Sequence, residues 1–126
     1  MSVKLFKCPY CGNIVFSVKD SGKSLYCCKQ KMERVSPGMI DASAEKHVPV
    51  VEIKDGKILA KVGAVEHPMN EDHYIEWIAV ETTKSTRQIL LKPGTKPEAV
   101  FYLDDGDTFK AAWAYCNIHS IWKSDK

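Results

Sequence analysis

Five cysteines and four histidines in a chain of 126 residues are the side chains whose type and spacing point to chemistry. Cys8-Pro9-Tyr10-Cys11 forms a C-x2-C knuckle, and a vicinal pair, Cys27-Cys28, follows. A C-x2-C turn presents two thiolates to one tetrahedral ion, and Gly12 permits the tight backbone around it. Adjacent cysteines that both reach that ion depart from zinc-ribbon spacing and predict a distorted tetrahedron. Four thiolates select zinc or iron. The vicinal pair favours a rubredoxin-like iron, with a structural zinc, unrelated buried thiols and a vicinal disulfide as the other readings. An odd cysteine count argues against a disulfide framework and for metal or catalytic thiolates in a reducing compartment.

The second constellation is spread more widely. His47, His67, His73 and His119 all follow the cysteine cluster, and His119 lies three residues after Cys116, the one cysteine outside it. Taken singly, each histidine reads as a surface or satisfied core residue. Three of them stand at the edges of expected strands or turns, where ligands converge in sandwiches. Neutral imidazoles with a thiolate suit iron, copper or zinc. Five such donors exceed the four of a structural zinc and leave one octahedral position open, which implies reactivity.

These residues need a frame to position them. At this length one domain, or one with a small satellite, is expected. Residues 1–36 carry seven basic and two acidic side chains, net +5, and the remainder carries 11 basic and 14 acidic, net −3. That shift, with Ser36-Pro37-Gly38, marks a boundary and gives domains 1–36 and 37–126. The first is too small to stabilise itself by burial and needs a metal or a partner subunit. From His47 onward short apolar runs alternate with turn signals. Strands are expected over 47–53, 58–65, 74–83, 87–91, 99–103 and 109–116, with a hairpin at Asp55-Gly56 and a helical turn around 40–46. In the last strand Phe109, Ala111, Trp113 and Tyr115 share one face and Lys110, Ala112, Ala114 and Cys116 the other. The fold class is mainly β, with a small metal-binding domain followed by an immunoglobulin-like antiparallel β-sandwich. A net charge of +2 is too small to argue for nucleic acid or a membrane surface. No apolar run is long enough to span a bilayer, and Met1 to Lys7 leave no room for a signal peptide, so a soluble cytoplasmic protein is expected.

The C-x2-C-Gly knuckle and vicinal cysteines, Glu45-Lys46-His47-Val48-Pro49-Val50, Val62-Gly63 before His67-Pro68-Met69, His73-Tyr74-Ile75, Leu91-Lys92-Pro93-Gly94 and Tyr115-Cys116-Asn117-Ile118-His119 occur in order along the chain. Together they resemble the desulfoferrodoxin family, the two-iron superoxide reductases. Lys29 and Lys31 depart from it, standing where many members have glycine or asparagine and proline.

The resemblance implies two iron ions per chain. A desulforedoxin-like centre would be held by Cys8, Cys11, Cys27 and Cys28, and a catalytic ferrous centre by His47, His67, His73 and His119 with Cys116 axial. It further implies that His119 binds through the opposite ring nitrogen from the other three. Lys46 would attract superoxide and hold the water that delivers a proton, although alone it reads as a solvated lysine. Glu45 would be a surface carboxylate or, as in relatives, a sixth ligand to the ferric ion. Rubredoxin or a similar one-electron donor and a homodimeric state are also implied. Two other readings stay open: a two-iron electron carrier, and a zinc-ribbon interaction module with structural histidines.

Overall fold

The computed structural model describes residues 4–38 and 42–125. Two compact units make up the chain, Met1–Ser36 and Pro37–Lys126. In the first, β1 (Lys4–Lys7), β2 (Ile14–Ser17) and β5 (Glu33–Val35) form a sheet in the order β2-β1-β5, and β3 (Tyr26–Cys27) pairs with β4 (Gln30–Lys31) as a separate hairpin. Among the described residues its buried apolar side chains are few, Leu5, Cys8 and Met32, so burial alone contributes little to its stability.

The second unit opens with one helical turn, α1 (Ala44–His47). The strands β6 (Pro49–Lys54), β7 (Lys57–Val62), β8 (Ile75–Thr82), β9 (Thr86–Leu90), β10 (Glu98–Tyr102), β11 (Phe109–Cys116) and β12 (Ser120–Ser124) follow. They make a three-stranded sheet, β10-β7-β6, and a four-stranded sheet, β12-β11-β8-β9, with all pairings antiparallel. Ile58, Ala60 and Val62 of β7 meet Ile78 and Val80 of β8 and Ala112 and Ala114 of β11 in one core between the sheets. Asp55 and Gly56, at φ 52° and 75°, turn β6 into β7 as a two-residue hairpin. No helix among the described residues is long and apolar enough to cross a membrane.

Several local expectations change. His47 ends α1 rather than opening a strand. Of the helical turn expected around 40–46, residues 40 and 41 lie outside the described residues. The strand expected to reach Val65 stops at Val62, because Gly63 takes φ 91° and redirects the chain. Phe109 packs against the inter-sheet core with Ala112 and Ala114 rather than siding with Trp113. A register irregularity between Phe109 and Ala111 breaks the alternation assumed for that strand. Strand β12 and the short strands of the first unit are additions; those of the first unit run two to four residues, too brief for two-residue periodicity to reveal.

Topology then sets up the site. Pro49 pairs with Val62, Ile75 with Cys116, and Cys116 with Ser120. Within each sheet, the starts of β6, β8 and β12 therefore lie beside the ends of β7 and β11. Every histidine, and Cys116, belongs to one of these starts, ends or adjoining turns.

Candidate metal centres

In the first unit the knuckle is closed by backbone bonds: the Cys8 N–H donates to the Asn13 carbonyl at 2.9 Å and the Gly12 N–H to the Cys8 carbonyl at 3.1 Å. Successive residues of a strand point to opposite sides, so a vicinal pair on one strand would not converge. Cys27 ends β3, and Cys28 leaves it at φ 53° in a two-residue turn with Lys29 at φ 60°. That turn brings both sulfurs to one place. Cys11 and Cys27 Sγ stand 3.6 Å apart, and Cys27 and Cys28 Sγ 4.0 Å apart. Sulfurs at tetrahedral positions about 2.3 Å from one ion are about 3.8 Å apart, whereas a disulfide needs about 2.05 Å. All five cysteines are free, which disposes of a vicinal disulfide.

Crowding of the thiols tells the same story electrostatically. Hydrogen bonding from the Cys11 backbone is the main cause that lowers the Cys8 thiol to about 6. The neighbouring Cys11, Cys8 and Cys27 sulfurs push Cys28 up to about 12. Four thiolates in one place need a cation to ionise together. Asn13 Nδ2 points at Cys27 Sγ from 3.6 Å as an outer donor. Cys8 is buried, whereas Cys11 and Cys28 are exposed.

The second set lies in the sandwich unit. Donor atoms of His47, His67, His73 and Cys116 all fall within 4.8 Å of one another, and His119 joins them through Nδ1, 3.0 Å from His47 Nε2 and 3.8 Å from Cys116 Sγ. The tautomers follow from the backbone. His47 Nδ1 lies 2.7 Å from the Ser43 carbonyl and His67 Nδ1 2.7 Å from the Pro68 carbonyl. A carbonyl only accepts, so both Nδ1 atoms carry the hydrogen and both Nε2 atoms carry lone pairs. Yet those two Nε2 atoms face each other at 3.2 Å. His73 Nε2, also buried, has no hydrogen-bond partner.

Lone pairs aimed at one point are repulsive unless a cation lies between them. Nitrogens bound at right angles to one ion at about 2.1 Å stand about 3 Å apart, so the spacing fits a shared metal. Burial is the main cause that holds His47 and His73 below the usual imidazole value and His67 down at about 4, so the rings are neutral, as ligation requires. Burial pushes the Cys116 thiol up, while the backbone N–H groups of His119 and Ile118 act on its sulfur in the opposite sense. Imidazole with thiolate suits iron, copper or zinc, and the four-thiolate set suits iron or zinc.

Glu45 and Lys46 are both exposed on α1, immediately before His47. The Lys46 charge is one of the smaller causes that lower the His47 and His73 imidazoles. The Glu45 carboxylate is not among the gathered donor atoms, although its backbone carbonyl accepts the Val65 N–H at 3.2 Å. Sequence reasoning passed over three supports of the site. Gly63 is one: a Cβ there would stand 2.2 Å from the Val65 carbonyl oxygen and 2.7 Å from that of Lys46. Trp122 is another, packing on the His47 ring at 5.0 Å and donating from Nε1 to the His119 carbonyl at 3.0 Å. The third is Asn117, in the turn after Cys116. Gly63 and Asn117 stand inside the motifs quoted from the sequence, though with no role given to them; Trp122 stands outside those motifs.

Comparison with known proteins agrees with this geometry. The model of the desulfoferrodoxin N-terminal domain matches residues 2–35, and that of desulfoferrodoxin itself matches residues 39–125. A desulfoferrodoxin of Desulfarculus baarsii is 45% identical over 123 residues, covering 98% of this chain and 96% of that protein. The crystal structure of the superoxide reductase from Treponema pallidum superposes with a TM-score of 0.83 at 31% identity, covering 98% of this chain and 99% of that one. A one-iron superoxide reductase from Giardia intestinalis covers 64% of this chain and 95% of its own at TM-score 0.56 and 33% identity. On the family models, which together span nearly its whole length, and on these relatives, the chain belongs to the desulfoferrodoxin family.

Proposed function

We propose that the protein is a superoxide reductase, an oxidoreductase that converts superoxide to hydrogen peroxide without producing dioxygen. The observation that carries this reading is the apposition of His47 and His67 lone pairs beside His119 Nδ1 and Cys116 Sγ. Four imidazoles and one thiolate would hold an iron and supply one-electron chemistry toward a small anion. The chain holds two iron ions, one in the set Cys8, Cys11, Cys27 and Cys28 and one in the set His47, His67, His73, His119 and Cys116. The module reading, with purely structural histidines, leaves the facing lone pairs without a cause.

Superoxide takes up one electron and two protons to become hydrogen peroxide, and an iron held by the second set would supply the electron. Cys116 places a thiolate in that set, which makes it electron-rich and reducing. The Ile118 and His119 N–H groups temper the charge on its sulfur. Lys46 raises the local concentration of the anion and holds water from which a proton reaches the departing product. Glu45, exposed on α1 two residues before His47, would be the carboxylate available to an oxidised centre. A rubredoxin or similar one-electron carrier returns the electron. Cysteines free of disulfides in both sets fit a reducing compartment, which we assign as the cytoplasm. The thin core of the first unit supports a homodimer in which partner subunits add burial.

Pulse radiolysis of the reduced, iron-loaded protein tests the assignment. Oxidation of the second centre by superoxide at near-diffusion rates is expected, and a centre left reduced refutes it. Lys46→Ile should slow this bimolecular step about tenfold and flatten its salt dependence. An unchanged rate and slope would remove Lys46 from the encounter.

A further inference from the structure

His73 differs from the other imidazoles in how it is held. The rings of His47 and His67 are each fixed by an Nδ1–H bond to a backbone carbonyl. The His119 loop is tied by Trp122, whose Nε1 donates to its carbonyl. Among the described residues His73 has no ring hydrogen bond, and its Nε2 is buried without a partner. Its ring packs edge-on against His67 at 4.7 Å and His119 at 5.2 Å, and the hydrogen bonds that fix its place act on its backbone.

Asn117 does so from both sides. Its Oδ1 accepts the Tyr74 N–H at 2.9 Å, and its Nδ2 donates to the Asp72 carbonyl at 3.0 Å. The Asn117 N–H also donates to the Tyr74 carbonyl at 3.2 Å. The two peptide neighbours of His73 are thus gripped by one side chain, while its own N–H and carbonyl are closed onto Asn70 at 3.2 Å and 2.9 Å. Asn117 directly follows Cys116, so the same side chain ties the thiolate-bearing strand end to the loop that carries His73.

We infer that Asn117 is the positioning residue that orients His73 relative to Cys116, and so sets the retention and geometry of the second centre. This rests on the reading of His73 as a ligand. Both amide functions are used, so the role is specific to asparagine: aspartate keeps the acceptor for Tyr74 but sets a carboxylate against the Asp72 carbonyl, and alanine loses both.

The test compares wild type, His73→Ala, Asn117→Ala, Asn117→Asp and a distant control, Thr83→Val, which removes a hydrogen bond to Asp107. Iron loss from each centre of the full-length protein to a chelator is followed by absorption. Loss of outer support of a ligand costs about 10–100-fold in metal affinity. Asn117→Ala should therefore release iron from the second centre about 10–100-fold faster, with the four-cysteine centre unchanged. Asn117→Asp should fall between it and wild type, and Thr83→Val should match wild type. In metal-free Asn117→Ala, the His73 ring resonances should broaden or split in NMR spectra while those of His67 stay single. Iron loss within twofold of wild type in Asn117→Ala, or equal acceleration in Thr83→Val, overturns the inference. If His73→Ala itself retains iron as wild type does, the ligand assignment fails, and this role with it.

Discussion

The two candidate centres are built by opposite strategies. All four thiols of the first lie between Cys8 and Cys28, on a knuckle and a hairpin turn, and two of them are exposed. The donors of the second span His47 to His119, from five strand ends or turns of a sandwich, and His47, His67 and Cys116 are buried. A local centre shapes its own small unit, since it supplies what a thin core does not. A dispersed centre depends on a scaffold already folded around it, and its precision comes from backbone carbonyls, Gly63, Asn117 and Trp122. The contrast predicts that a metal in the first unit chiefly stabilises that unit and that a metal in the second chiefly supplies reactivity.

The sharpest way to break this comparison is to remove one ligand from each side. Cys27→Ser should abolish the first centre and lower the stability of the first unit, leaving superoxide reactivity near wild type. His67→Ala should cut that reactivity to near zero, while the absorption of the first centre and the fold of both units persist. Metal analysis, absorption and pulse radiolysis on the same preparations decide it. Loss of superoxide reactivity in Cys27→Ser would instead favour the electron-carrier reading, in which both centres act in series.

A smaller but still large effect is expected at Gly63. Its φ of 91° and the nearness of the Lys46 and Val65 carbonyls leave no room for a side chain. The Gly63 N–H also donates to the Val48 carbonyl at 3.2 Å, which lays the loop before His67 against the segment that carries Lys46 and His47. Gly63→Ala combines left-handed strain with overpacking, about 3 kcal/mol or more in total. Thermal unfolding should show that loss in the second unit, and the second centre should lose iron while the first keeps its own. Equal damage to both centres would show that the units are not independent.

The same contrast explains what the sequence disclosed. The residues that gather were legible in both clusters, because cysteine and histidine carry their chemistry in the residue type and every one of them is drawn into a cluster. The hairpin at Asp55-Gly56 was legible because both residues favour positive φ. The facing of Phe109 was not, since a bulge in β11 depends on its partner strand rather than on its own pattern. Neither was β12, whose Ser120–Ser124 segment gains meaning only when Trp122 is seen against His47. Asn117 is likewise an ordinary turn residue in sequence; its role appears once Tyr74 and Asp72, more than forty positions away, are brought beside it.

The smallest predicted effect concerns the turn that unites Cys27 and Cys28. Lys29 departs from the family pattern and occupies φ 60°, a left-handed conformation that costs a residue with a Cβ about 1–2 kcal/mol. Glycine adopts it freely but gives the unfolded chain more freedom, so Lys29→Gly should stabilise the first unit by a net amount of about 0.5–1 kcal/mol. Lysine also sets a positive charge beside a cluster that is net negative with ferric iron, and glycine forfeits that attraction. Salt separates the two contributions: at about 1 M the screening length is about 3 Å, and the charge contribution fades while the backbone contribution stays. Lys29→Gly should thus release iron from the first centre about two- to fivefold more slowly than wild type at high salt, with a smaller or vanishing gain at low salt. The second centre should release iron at the wild-type rate under both conditions. Faster loss at high salt would mean that the turn is not strained as built, and that the conformation of the first centre is set by its metal rather than held against it by Lys29.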